Sequence, residues 1–127
     1  MEILMNDNRT IEEIQEEFSA EYPYLKIEFL TAIAKNRNPA SSKSEIIPKH
    51  KRIGSLKEKK AGVTTILMSG DRTVREILDE LEEKHGLHAQ IYRKFGKMWI
   101  ETGLTDHWSL SLQNAEGHEI SETFAKK

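Results

Sequence analysis

The chain has 127 residues, 37% of them hydrophobic and 31% charged, with a net charge of −2, a balance that fits one soluble globular domain with a modest core and excludes a disordered chain. It contains no Cys, which removes disulfides, thiol nucleophiles and Cys-based zinc sites. No apolar run nears the roughly 20 residues that span a bilayer, and Met1-Glu2-Ile3-Leu4-Met5-Asn6-Asp7 has no basic region followed by an apolar one, so no membrane contact, no secretory signal and a cytoplasmic setting are expected.

In chain order, residues 2–5 read as a short strand leading through polar Asn6-Asp7-Asn8 into a helix. Thr10 and Glu13 stand at the spacing of a capping box. Behind it Ile11, Ile14, Phe18 and Tyr22 fall on one helical stripe, while Glu12, Glu13, Glu16 and Glu17 face water. Pro23 ends this helix, and Leu25, Ile27 and Phe29 alternate with Lys26 and Glu28 as in a strand with one buried face.

Charge then changes sign. Residues 1–34 carry eight acids and two bases, residues 35–60 nine bases and two acids. Asn36 to Ser44 is polar and rich in turn formers, so a mobile basic loop over about 35–52 is expected. Within it Ile46-Ile47-Pro48 suits a short edge strand, and residues 53–62 suit one or two helical turns stopped by Gly62.

The second half repeats the first. Asp71-Arg72-Thr73-Val74-Arg75-Glu76-Ile77-Leu78-Asp79-Glu80-Leu81 matches Asn8-Arg9-Thr10-Ile11-Glu12-Glu13-Ile14-Gln15-Glu16-Glu17-Phe18, with Arg, Thr, Glu, Ile and Glu in register. A strand over 63–68 precedes this helix, Thr73 and Glu76 form its capping box, and Gly86 takes the stop position held by Pro23. Leu87, Ala89 and Ile91 then alternate with polar residues, and Lys94-Phe95-Gly96-Lys97 turns into a strand over 98–102. A short helix from Trp108 to Glu116, ended by Gly117, closes the pattern and echoes residues 53–62, leaving a disordered C-terminal tail.

One strand-helix-strand unit cannot cover its own apolar face, whereas two units can share a sheet. The expected fold is therefore α+β: a two-layer sandwich of duplicated βαβ(β) units, about 1–62 and 63–120, with pseudo-twofold symmetry on a ferredoxin-like plan. Tandem β-grasp-like halves are the alternative. The run from Arg72 to Leu87, followed by Ala89-Gln90-Ile91-Tyr92-Arg93, resembles small uncharacterised bacterial proteins built from two copies of a strand-helix-strand unit. That resemblance implies a fold and no activity.

For function, a Phe95-Gly96 turn would set Tyr92 opposite Trp99 and Lys94 opposite Lys97 on one sheet face. Aromatics and Lys on an open sheet are what RRM-type modules use to stack unpaired bases, and Lys49, Lys51 and Arg52 could add phosphate contacts from the basic segment 43–60. Equally, Tyr92 and Trp99 form an ordinary stabilising cross-strand pair, and the basic segment answers the acidic helices. The helix starts at Arg9-Thr10 and Arg72-Thr73 offer an anion site, although the caps already use some of their amides. His85 and His88 have metal-like spacing across a helix end. His50, His107 and His118 stand alone, and Ser41, Ser42, Ser109 and Ser111 lack a nucleophile elbow. The reading is a non-enzymatic, monomeric binding or protein-interaction module without cofactor or metal, with single-stranded nucleic-acid binding through the Tyr92/Trp99 face as the alternative.

Overall fold

The structure, a computed structural model, describes residues 1–31, 45–57 and 64–125. The fold is α+β, with β1 (Glu2–Leu4), α1 (Ile11–Glu21), β2 (Leu25–Leu30), β3 (Thr65–Leu67), α2 (Val74–His85), β4 (His88–Phe95), β5 (Met98–Glu101) and α3 (Leu110–Ala125). Among the described residues no helix is long and apolar enough to cross a membrane.

Helices α1 and α2 both start at the expected Thr N-cap, but only α1 closes the full capping box expected of both. The Thr10 hydroxyl accepts from the Glu13 N–H (3.2 Å), and Glu13 Oε1 accepts from the Thr10 N–H (3.1 Å), completing a capping box. At α2 the Thr73 hydroxyl accepts from the Glu76 N–H (3.1 Å) and donates to Glu76 Oε1 (3.2 Å). Each Thr cap contributes about 1 kcal/mol. Helix α2 stops at Gly86, whose φ of 63° lets its N–H reach the Glu82 carbonyl while Leu87 N–H returns to Leu81. Ile11, Ile14, Phe18 and Tyr22 are buried against Leu25, Ile27 and Phe29, and Val74, Ile77 and Leu81 join the same core with Ile91.

The strands do not form one shared sheet. They form two antiparallel sheets, β1-β3 and β2-β4-β5, each taking strands from both halves of the sequence. β2 is an edge, and its outward carbonyls are covered: Ser19 Oγ donates to Leu25 O (3.0 Å), Gln15 Nε2 to Ile27 O (2.8 Å) and the Ile47 N–H to Phe29 O (2.8 Å). Such cover blunts an edge that would otherwise recruit another strand.

Two further expectations change. Helix α3 runs past Gly117 to Ala125, through most of the expected tail. A Cβ on Gly117 would lie 2.9 Å from Tyr24 Cβ and 3.1 Å from Arg93 Cγ, so this glycine permits close helix–sheet approach instead of ending the helix. Residues 45–52, expected within a mobile loop, are tied in by backbone bonds: Thr31 N–H to Glu45 O (2.9 Å), Ile11 N–H to Lys51 O (2.9 Å) and Glu12 N–H to Lys49 O (3.0 Å). Ile46 bridges Leu30, in keeping with an edge segment, and Ile53–Ser55 forms a single 3₁₀ turn. The proposed loop over 36–44 and the helix stop at Gly62 lie outside the described residues.

The second helix entry is held in the same way. Val74 N–H donates to Trp108 O (3.2 Å) and Arg75 N–H to Asp106 O (2.8 Å), the counterparts of the Ile11 and Glu12 bonds. Ile53 N–H donates to Arg9 O, as Leu110 N–H does to Arg72 O. Single bridges join Thr10 to Arg52 and Thr73 to Ser109.

Candidate functional site

Odd-numbered residues of β4 face the helices: Ile91 is buried, and Arg93 donates to Gln113 Oε1 of α3 (2.8 Å). Alternation puts Gln90, Tyr92 and Lys94 on the other face, where all three are half-buried. In the register of β2-β4-β5, Lys26 pairs with Tyr92, Tyr92 with Glu101, and Lys94 with Trp99.

This corrects the expected hairpin. Its turn is Gly96-Lys97, Tyr92 is not directly opposite Trp99, and Lys97 sits in the turn instead of opposing Lys94. The reason is stereochemical: Gly96 has a φ of 65° and supplies the positive φ that a two-residue hairpin turn needs at its first central position. Both strands slide together, so Tyr92, Lys94 and Trp99 still share a face.

Lys26, which sequence reasoning passed over, organises that face. Its Nζ lies 5.3 Å from the Tyr92 ring centre and 5.2 Å from that of Trp99, with Lys94 Nζ 6.0 Å from Trp99. Each such contact contributes about 0.5–1 kcal/mol at an exposed site. Alternation with buried Leu25 and Ile27 shows which face Lys26 takes, and the β2–β4 register then sets it beside Tyr92. Burial pushes the Tyr92 hydroxyl above its ordinary value, and the carboxylates of Glu101 and Glu28 add to the rise. The phenol therefore remains a neutral donor at physiological pH. The result is a half-buried aromatic pair bracketed by two lysines and two glutamates.

The other basic candidates lie elsewhere. Lys49 forms an ion pair with Glu12 (3.8 Å), Arg52 donates to Asn8 O (2.8 Å), and Lys51 contributes its carbonyl to the start of α1. No described contact joins them to the hairpin face. Nor do the helix starts keep a free arginine for an anion. Arg9 is held by Leu4 O, Glu13 and Glu17, and Arg72 by Leu67 O, Glu76 and Glu80.

His85 and His88 do not converge. His85 is buried with Nδ1 3.3 Å from Thr64 Oγ1, and His88 pairs with Leu30 in the sheet. Desolvation holds the His85 imidazole below its usual value, nearby Lys57 adds to this, and Glu80 opposes it. His118 reaches Glu122 (3.8 Å) and packs on the Tyr24 ring. Among the described residues no three His, Asp or Glu side chains gather as metal ligands. Ser109 Oγ accepts from the Leu112 N–H (3.1 Å), a capping role at α3. Comparison of the chain with protein families, curated proteins and solved structures finds no match.

Proposed function

We propose that the chain is a non-enzymatic protein-interaction module, built by internal duplication, whose partner docks on the open face of β2-β4-β5. The carrying observation is the arrangement of Tyr92 and Trp99 around Lys26: large, rigid, half-buried aromatics already fixed in place by their own neighbours. Aromatic anchors of this kind concentrate binding energy at protein interfaces because little side-chain entropy is lost when they dock. Lys26 and Lys94 favour a partner that brings carboxylates to the rim, while Glu28 and Glu101 set register by repulsion.

The duplication is supported by the paired bonds at the two helix entries. It is supported further by a reciprocal small-for-large exchange. Gly54 N–H donates to Asp7 O and Ser111 N–H to Gly70 O, both at 3.0 Å, so the glycine lies on opposite partners in the two copies. A Cβ on Gly54 would meet Asp7 Cβ at 2.6 Å, and one on Gly70 would meet Ser111 Oγ at 2.0 Å.

Single-stranded nucleic acid is the competing ligand. Against it, Lys26 and Lys94 already lie close to the aromatic rings that stacked bases would use, and the side chains of Lys49 and Arg52 already have partners beside the start of α1. The deciding experiment is affinity capture with the wild type and the Tyr92→Ala/Trp99→Ala double variant, beside titration of mixed oligonucleotides at low salt. Partner proteins lost by a variant that still unfolds cooperatively support the reading. Partners retained by that variant, or oligonucleotide binding that weakens steeply with salt and requires Trp99, overturn it.

A further inference from the structure

The sheet β2-β4-β5 has two edges, and they are treated differently. The β2 edge is covered by Ser19, Gln15 and Ile47, as described above. At the other edge Ile100 pairs with Arg93, and the Thr102 N–H donates to Ile91 O (3.3 Å). Alternation in an antiparallel ladder therefore gives Ile100 its bonds to β4 and turns the N–H and C=O groups of Trp99 and Glu101 outward. Among the described residues none outside the sheet bonds to these groups. An open row of donors and acceptors recruits another strand.

The flanks of β5 indicate which strand. Met98 at its start is 63% exposed and Leu104 just past its end is 97% exposed, the two most exposed large apolar side chains among the described residues. Two copies of β5 laid antiparallel bring the Met98 end of one beside the Leu104 end of the other, so a single arrangement covers both. Charge is complementary in the same arrangement, because Glu101 and Lys94 lie on the same sheet face, Glu101 opposite Tyr92 and Lys94 opposite Trp99.

We propose that a second copy of this chain pairs with β5, antiparallel, on a twofold axis through Ile100, joining the two β2-β4-β5 sheets into one. Trp99 of each copy exchanges backbone hydrogen bonds with Glu101 of the other, which satisfies every outward group of the strand. Each Glu101 carboxylate then lies between its own Tyr92 and the second copy's Trp99, with Lys94 of that copy one strand further on. A register centred on Trp99 would instead oppose Glu101 to Lys97, which sits in the turn outside the strand. The pairing runs through backbone at the sheet edge, so it does not rest on the docking face proposed above. It replaces the monomer expected from the sequence, because the open edge becomes visible only once β5 is placed outermost.

The test is amide hydrogen exchange over a series of protein concentrations, with sedimentation reading the mass. As mass rises toward the dimer, the Trp99 and Glu101 amides should exchange at least fivefold more slowly, while the Ile100 amide, bonded to β4 throughout, stays unchanged. Glu101→Pro removes one outward donor without touching the ladder to β4 and should weaken association at least fivefold. Leu104→Lys, at a site too exposed to disturb the core, should weaken it as well and serves alone if the Pro variant does not fold. Monomer mass at every concentration, association that slows amides of β1-β3 and leaves Trp99 and Glu101 unchanged, or a dimer as tight in Leu104→Lys as in the wild type would overturn the proposal.

Discussion

Arg72 reaches Glu80 two helical turns further on, with Nη2 3.0 Å from the carboxylate and each side chain 18% exposed. The same guanidinium donates to Leu67 O on β3 at 2.9 Å and lies 3.6 Å from Glu76, so one residue ties a strand to the first two turns of a helix. Arg9 does this for β1 and α1, through Leu4 O, Glu13 and Glu17. A planar fork with several donors suits this task, and a Lys ammonium cannot serve all three partners in the same geometry.

Arg72→Ala should therefore cost about 1.5–3 kcal/mol, the range for hydrogen bonds to charged groups, with Arg72→Lys recovering only part. The control is Arg75, which contacts Asp106 and Asp79 from an exposed position. Solvent screening limits such a pair to about 0–1 kcal/mol. Urea denaturation of the three variants checks the order, and equal losses at Arg72 and Arg75 would contradict it.

Gly117→Ala tests the close approach of α3 to the sheet. In an exposed helix interior this change gains about 1 kcal/mol from helix propensity. Here the new methyl meets Tyr24 Cβ at 2.9 Å and Tyr24 O at 3.2 Å. Overpacking costs about 1–3 kcal/mol, so the net effect should be destabilising. Thermal unfolding reads the sign directly, and a raised midpoint would show that α3 can shift away from Tyr24.

That glycine also shows why parts of the fold were legible in the sequence and others were not. Thr10, Thr73 and Gly86 act on their own neighbours, so local spacing revealed the helix starts and one stop. Gly117 answers to Tyr24 and Arg93, nearly a hundred and about two dozen positions away respectively, and no local pattern separates such a glycine from a cap. The division into two sheets and the bridge from Arg52 to Thr10 are likewise long-range choices. The hairpin face was legible because strand alternation survives a slide of both strands, although the pairing within it was not. Lys26 became visible beside Tyr92 only once β2 was placed against β4.

His85 makes stability depend on pH in a defined direction. Its folded-state value lies below the ordinary 6.5 because of burial, reinforced by Lys57, so the unfolded chain binds the proton more readily. Stability from the neutral imidazole is complete above the unfolded value and is lost as pH falls from there toward the folded one. One such group limits the slope to about 1.4 kcal/mol per pH unit. Denaturation between pH 7.5 and 5.5, above the main carboxylate range, should show the wild type weakening more steeply than His85→Gln. Parallel curves would assign the dependence to another group.

Tyr22 is the clearest single link between the two halves, because its buried hydroxyl donates to Met68 O at 2.6 Å just after β3. The ring packs beside Phe18 with centres 5.5 Å apart, so Tyr22→Phe preserves the apolar contact and removes only the donor. Leaving a buried carbonyl without that partner costs about 1–3 kcal/mol. Burial also pushes the Tyr22 hydroxyl above its ordinary value, with Glu21 and Asp71 adding to the rise, so the folded protein keeps this proton longer than the unfolded chain does. Its contribution is complete below about pH 10 and fades as pH climbs through the raised value. Tyr22→Phe should accordingly lower stability at pH 7 and flatten the alkaline side of the curve. A variant as stable as wild type at pH 7 would mean that water or a neighbouring donor serves the Met68 carbonyl equally well.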